Sequence, residues 1–191
     1  MLSYIRFLLN LTHAHKIFRR YFVTNGFDGA LTILGMIMGF YSVPQVSVSV
    51  VISACMGAAI ALAVSGFASA YLSESAEREK ELKELERSLF KDLEGTAHGK
   101  AARIVPLIVA LVNSLAPFSL ALLIILPLLL ETNGIALPFP PLELSIIIAF
   151  TLIFLIGAFL GKISGGFWLW SSLRTTVIAA ITATIILWLD R

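Results

Sequence analysis

A single carboxylate stands inside the first long apolar stretch of the chain: Asp28, in the run Asn25-Gly26-Phe27-Asp28-Gly29. An ionisable group in a membrane-length apolar segment is costly, so it marks a functional position by default. A carboxylate with amide and carbonyl oxygens nearby suits a hard or borderline divalent cation, and flanking glycines let the backbone approach a bound ion. Asn113, beside Ser114, is the other deep polar position. Its amide either completes an oxygen-rich site or bonds a neighbouring helix. Arg174 stands at a depth similar to Asp28 in the last apolar stretch, as an ion-pair partner for it or a gate. Glu74, Glu77, Glu81 and Glu84 recur at intervals that put them on one helix face, where they would gather divalent cations. The competing reading of that segment is a solvated helix of alternating charge, with Glu79 before Lys83 in the favourable order. Met36, Met38 and Met56 offer thioether sulfur, although methionine more often fills packing gaps.

Other chemistries find no residues to carry them. His13, His15 and His98 all fall outside the apolar stretches, so no Ser-His-Asp or His-carboxylate set assembles within them. No H-E-x-x-H, P-loop or dinucleotide fingerprint is present, which speaks against an intramembrane hydrolase or an ATP-driven pump. No enzyme and no bound cofactor is expected. Cys55 is the one cysteine and reads as a small packing residue, without disulfide or cysteine-rich metal cluster. The net charge of +2 gives no ground for a nucleic-acid partner.

The elements that must position these residues are transmembrane helices. The chain of 191 residues is 58% hydrophobic and 14% charged, with a mean hydropathy of +0.92. A soluble domain is nearer half apolar and a quarter charged, so lipid must be the solvent for most of the surface. The expected class is an all-α integral membrane protein with five transmembrane helices. Residues 1–20 read as an interfacial amphipathic helix rather than a signal peptide, because Arg6 interrupts the apolar run and no small-residue cleavage site follows. Residues 21–73 hold spans one and two, about 21–41 and 46–73, joined by the uncharged turn Val43-Pro44-Gln45. Residues 74–100 form a charged helix with a break between Gly95 and Gly99. Residues 101–191 hold spans three to five, about 102–130, 142–160 and 167–189, each about the 20 residues a bilayer requires or more.

Lysine and arginine set the orientation. Arg6, Lys16, Arg19 and Arg20 precede span one, and Arg78, Lys80, Lys83, Arg87, Lys91, Lys100 and Arg103 lie between spans two and three. Lys162 follows span four, whereas the 42–45 and 131–141 connections have neither residue. The N-terminus and the charged helix are therefore expected in the cytoplasm and the C-terminus outside. Gly29, Gly35 and Gly39 in span one, and Gly57, Ala61, Ser65 and Ala68 in span two, let helices approach closely, within one chain or between two. Leu82, Leu85, Leu89 and Leu93 form a narrow apolar stripe of coiled-coil spacing.

The run from Asn25 to Thr32, followed by Gly35 and Gly39, resembles the first-helix signature of the vacuolar iron transporter family. The resemblance continues through Ser69-Ala70-Tyr71-Leu72-Ser73, the Glu/Arg-rich helix, and Pro106, Ala110, Ser114 and Pro127. It implies five spans in this orientation, a homodimer with its ion path at the dimer interface, and export of Mn²⁺ or Fe²⁺ from the cytoplasm in exchange for protons. It also implies that Asp28 is the intramembrane ligand, and that the acidic helix loosely matches the family's metal-binding helix. Two positions depart from the pattern: Gly66 and Ala70 stand where the family carries Met and Glu. The charged segment is also shorter than the family's three-helix unit, and Arg174 has no counterpart in it. The expected function is thus divalent-cation transport for metal homeostasis, in a cell membrane of prokaryotic type. The rival is a non-transporting membrane scaffold of the same fold that binds a protein partner through its charged helix.

Overall fold

The computed structural model describes residues 14–43 and 45–189. They form five helices, numbered here in chain order: α1 Ala14–Tyr41, α2 Val48–Leu89, α3 Ala97–Thr132, α4 Pro141–Ile163 and α5 Trp168–Leu189. Each contains a stretch long and apolar enough to cross a membrane, and the protein is all-helical over the described residues.

Two boundaries differ from the sequence expectation. α1 begins at Ala14, so residues 14–20 belong to the first spanning helix rather than to a separate surface helix. No glycine or proline separates Lys16, Arg19 and Arg20 from the apolar run, and lysine and arginine are good helix formers. Residues 1–13 of the expected surface helix, with Arg6 and His13, lie outside the described residues, as does Pro44 of the first turn. The charged segment is likewise no separate helix. α2 runs without interruption from the second span through the Glu/Lys/Arg-rich sequence to Leu89, 42 residues in all, or about 63 Å at 1.5 Å per residue. Its end is set by Phe90 in the left-handed conformation (φ 51°), whose N–H bonds back to the Glu86 carbonyl. Thr96 then caps α3, its hydroxyl accepting from the His98 N–H at 3.2 Å. Gly99 thus lies inside α3 rather than in a break, buried against the backbone of Glu94.

α1 is the central helix and touches all four others. Around it, α2 packs on α3, α3 on α4, and α4 on α5, while α2 and α5 do not meet. The ring of four is therefore open on one side. Ile33, Leu34 and Ile37 of α1 are fully buried with Ile124, Ile125 and Leu128 of α3 and Ile153 of α4. α3 carries Pro106, Pro117 and Pro127 in its interior and stays helical through all three. Proline is tolerated inside such helices because neighbouring helices, Ser/Thr side chains and local backbone adjustments re-satisfy the freed carbonyls. Close approach elsewhere depends on glycine: a Cβ on Gly157 of α4 would fall 2.2 Å from the Thr175 hydroxyl oxygen of α5.

Candidate cation site

Asp28 lies near the middle of α1, with 14 residues of the helix before it and 13 after. Its side chain is exposed, as are those of Thr24 and Thr32, one turn before and one turn after. Positions four apart share a helix face, so these three define the side of α1 that the other helices leave uncovered. Gly39 continues toward the end of the helix, with open space where a Cβ would sit. Among the described residues the Asp28 carboxylate makes no ion pair or hydrogen bond; its backbone carbonyl accepts from the Thr32 hydroxyl at 2.7 Å. A bare carboxylate halfway along an apolar helix is not stable against lipid and needs a counter-group, a proton or a cation.

Arg174 does not supply it. Its guanidinium lies over the Trp170 ring, 5.5 Å from the centroid, on an exposed face of α5, and the two residues form no ion pair. Asn113 is engaged between helices. It is buried in α3, donates from Nδ2 to the Gly66 carbonyl of α2 at 2.6 Å, and accepts at Oδ1 from Asn25 Nδ2 of α1. One amide thereby joins three helices, and both its polar ends are used. The same contact accounts for Gly66: a Cβ there would meet Asn113 Nδ2 at 3.3 Å. Ala70, one turn further along α2, is 2% exposed and packs on the same inner side. The second-helix positions where a Met and a Glu are expected in the family are thus occupied by close helix packing.

The four glutamates of the charged stretch split up. Glu74 is buried, receives a hydrogen bond from the Tyr21 hydroxyl of α1 at 3.4 Å, and lies 3.7 Å from Arg78. Arg78, also buried, reaches the half-exposed Glu81 at 2.6 Å. Glu77 and Glu84 are exposed and make no ion pair among the described residues. Glu79 and Lys83 do pair as the sequence order suggests, and the 2.5 Å hydrogen bond from Lys83 holds the Glu79 carboxyl below its ordinary range. Among the described residues, no three His, Cys, Asp or Glu side chains come together as a metal cluster within one chain. The sulfur atoms lie elsewhere. Cys55 and Met38 are buried in the core, and Met36 and Met56 pack against it. Ser65, Gly57, Ala61 and Ala68 line an exposed side of α2, so the small-residue stripe of that helix is not consumed by packing within the chain.

The sequence singles out Asp28 and offers Arg174 as its partner, a pairing the structure does not form, and it does not reveal the Asn25–Asn113 pairing. Its only signal was two asparagines in apolar helices, 88 residues apart.

No protein-family model matches the chain, and no solved structure matches it. Over 157 residues it is 30% identical to the uncharacterized protein MJ0645 of Methanocaldococcus jannaschii, across 76% of this chain and 74% of that one.

Proposed function

The chain belongs to the family of MJ0645, and we propose that it is a homodimeric transporter that carries a divalent cation, Mn²⁺ or Fe²⁺, across a prokaryotic-type cell membrane. The observation that carries this reading is the unpaired, exposed Asp28 carboxylate at mid-helix, on the side of α1 where the ring of helices is open. A second copy brought against that side covers the carboxylate from lipid and sets two Asp28 side chains across one seam. Two carboxylates with nearby hydroxyl and amide oxygens form a site for a doubly charged ion. The small residues of α2 suit the close helix approach such a seam requires.

With the basic residues cytoplasmic, the charged end of α2 stands at the cytoplasmic entrance, where exposed Glu77 and Glu84 raise the local cation concentration. Proton exchange is supported by the chemistry of Asp28, since one carboxylate can bind either a proton or a metal ion. The likeness to the vacuolar iron transporters supports the same reading through Asn25-Gly26-Phe27-Asp28-Gly29. The test is Mn²⁺ and Fe²⁺ uptake into proteoliposomes holding the purified chain, with and without a proton gradient. Uptake that Asp28→Asn abolishes supports transport; uptake unchanged in that variant overturns it.

One observation favours a different reading. At the turn that ends α2, Phe90 is 96% exposed beside exposed Leu89, an apolar tip on a charged hairpin. Such a tip suits a protein partner, as a membrane scaffold would require. Folded, dimeric protein that moves no divalent ion, and that loses partner capture on Phe90→Ser, would establish the scaffold instead.

A further inference from the structure

The orientation of two amides follows from one carbonyl. The Gly66 carbonyl can only accept a hydrogen bond, so the end of the Asn113 amide that reaches it is Nδ2. Asn113 Oδ1 then faces α1 and can only accept, which draws Asn25 Nδ2 toward it. Asn25 Oδ1 is left at the other end of its amide, and among the described residues it accepts no hydrogen bond. Asn25 is half-buried, between the side of α1 that meets α3 and the open side that carries Thr24, Asp28 and Thr32. It precedes Asp28 by three residues, a spacing that makes the two side chains neighbours on the helix surface.

We infer that Asn25 Oδ1 is the second oxygen of the cation site, beside the Asp28 carboxylate, and that Asn113 is the positioning residue that turns it there. This rests on the transport reading above. It replaces Asn113 by Asn25 as the amide ligand and gives Gly66 a role: its bare carbonyl, with no side chain in the way, anchors the relay. The side chains that neighbour Asp28 on this face offer oxygen, while Cys55 and Met38 are buried in the core and Met36 and Met56 pack partly buried against it. The cation is accordingly one that accepts hard oxygen ligands, with Mn²⁺ taken in preference to a thiophilic ion such as Cd²⁺.

The test exchanges the oxygen for sulfur and reads metal preference. Mn²⁺ and Cd²⁺ uptake are measured on the same proteoliposomes, so the ratio does not depend on how much of a variant is folded. Asn25→Cys shifts the ratio about tenfold toward Cd²⁺, whereas Asn25→Asp keeps the preference for Mn²⁺. Asn113→Leu raises the Mn²⁺ concentration for half-maximal uptake about tenfold while the maximal rate per folded protein is retained. A merely structural amide would lower the rate for every ion alike. An unchanged ratio in Asn25→Cys, with Mn²⁺ uptake still dependent on Asp28, overturns the assignment and leaves transport standing. No uptake of either ion by the natural chain overturns both. Should Asn25→Cys transport neither ion, Cd²⁺–thiolate absorption by the purified variant decides. A band that disappears when Asp28→Asn is added supports the site, and its absence overturns it.

Discussion

Gly29 of α1 lies directly on Pro117 of α3: a Cβ built on the glycine falls 2.5 Å from the proline Cβ and 2.7 Å from its Cα. Neither atom is the end of a flexible side chain, so the helices would have to separate. Gly29→Ala is expected to lower stability by about 1–3 kcal/mol, as overpacking in a filled interior does. Gly39→Ala, with nothing within 4 Å, is expected to be neutral. Thermal unfolding in detergent distinguishes the two. Equal melting temperatures for both variants would contradict the packing of α1 on α3.

Arg174 forms no ion pair with Asp28. Its contact is the exposed Trp170 ring, an interaction worth roughly 0.5–1 kcal/mol. Arg174→Gln is expected to leave cation uptake and its pH dependence unchanged, with at most a small loss of stability. A variant that leaks protons or abolishes uptake would restore the gate.

In the proposed homodimer, a second copy against the open side of α1 brings equivalent residues close to one another. With Cys55 replaced by alanine, cysteines at Thr24 and Thr32 are expected to give oxidised dimers in membranes, at one position or both. Disulfides form only when Cα atoms approach within about 7 Å. A cysteine at Ile147, exposed on α4, is expected to remain monomeric. Cross-linking at Ile147 alone would move the interface to the other side of the molecule.

Glu74 and Glu77 were alike as letters of one acidic face, yet their surroundings separate them. Glu74→Ala leaves the buried Arg78 with Glu81 alone and takes a hydrogen-bond acceptor from Tyr21, for an expected cost of about 1–3 kcal/mol. Glu77→Gln is expected to change stability by less than about 0.5 kcal/mol, as exposed substitutions do. The readout is the unfolding midpoint, and a larger effect from Glu77 would refute the inward placement of Glu74.

The sequence carried the helices and their number because apolar runs of membrane length are hard to mistake. Their ends were less legible. Residues 14–20 and 74–89 are charged but helix-forming, and hydropathy alone treats the loss of apolar character as the end of an element. Asp28 stood out as an expensive residue in an apolar run, whereas its lack of a partner depends on how α2 and α5 fail to meet. The inward turn of Glu74 and the commitment of Asn113 arise from contacts with Tyr21, Gly66 and Asn25 on other helices. Periodicity within one helix places residues on faces but does not say which face meets another chain segment.

The unbroken course of α2 makes it a lever. From Gly66, where the Asn113 amide clasps it, to Leu89 the helix extends about 35 Å with no glycine or proline to absorb a bend. A swing of about 10° around that clasp carries the Phe90 tip about 6 Å. By the same mechanics, a force applied at the tip arrives as torque on the carbonyl that orients Asn113, and through it on Asn25.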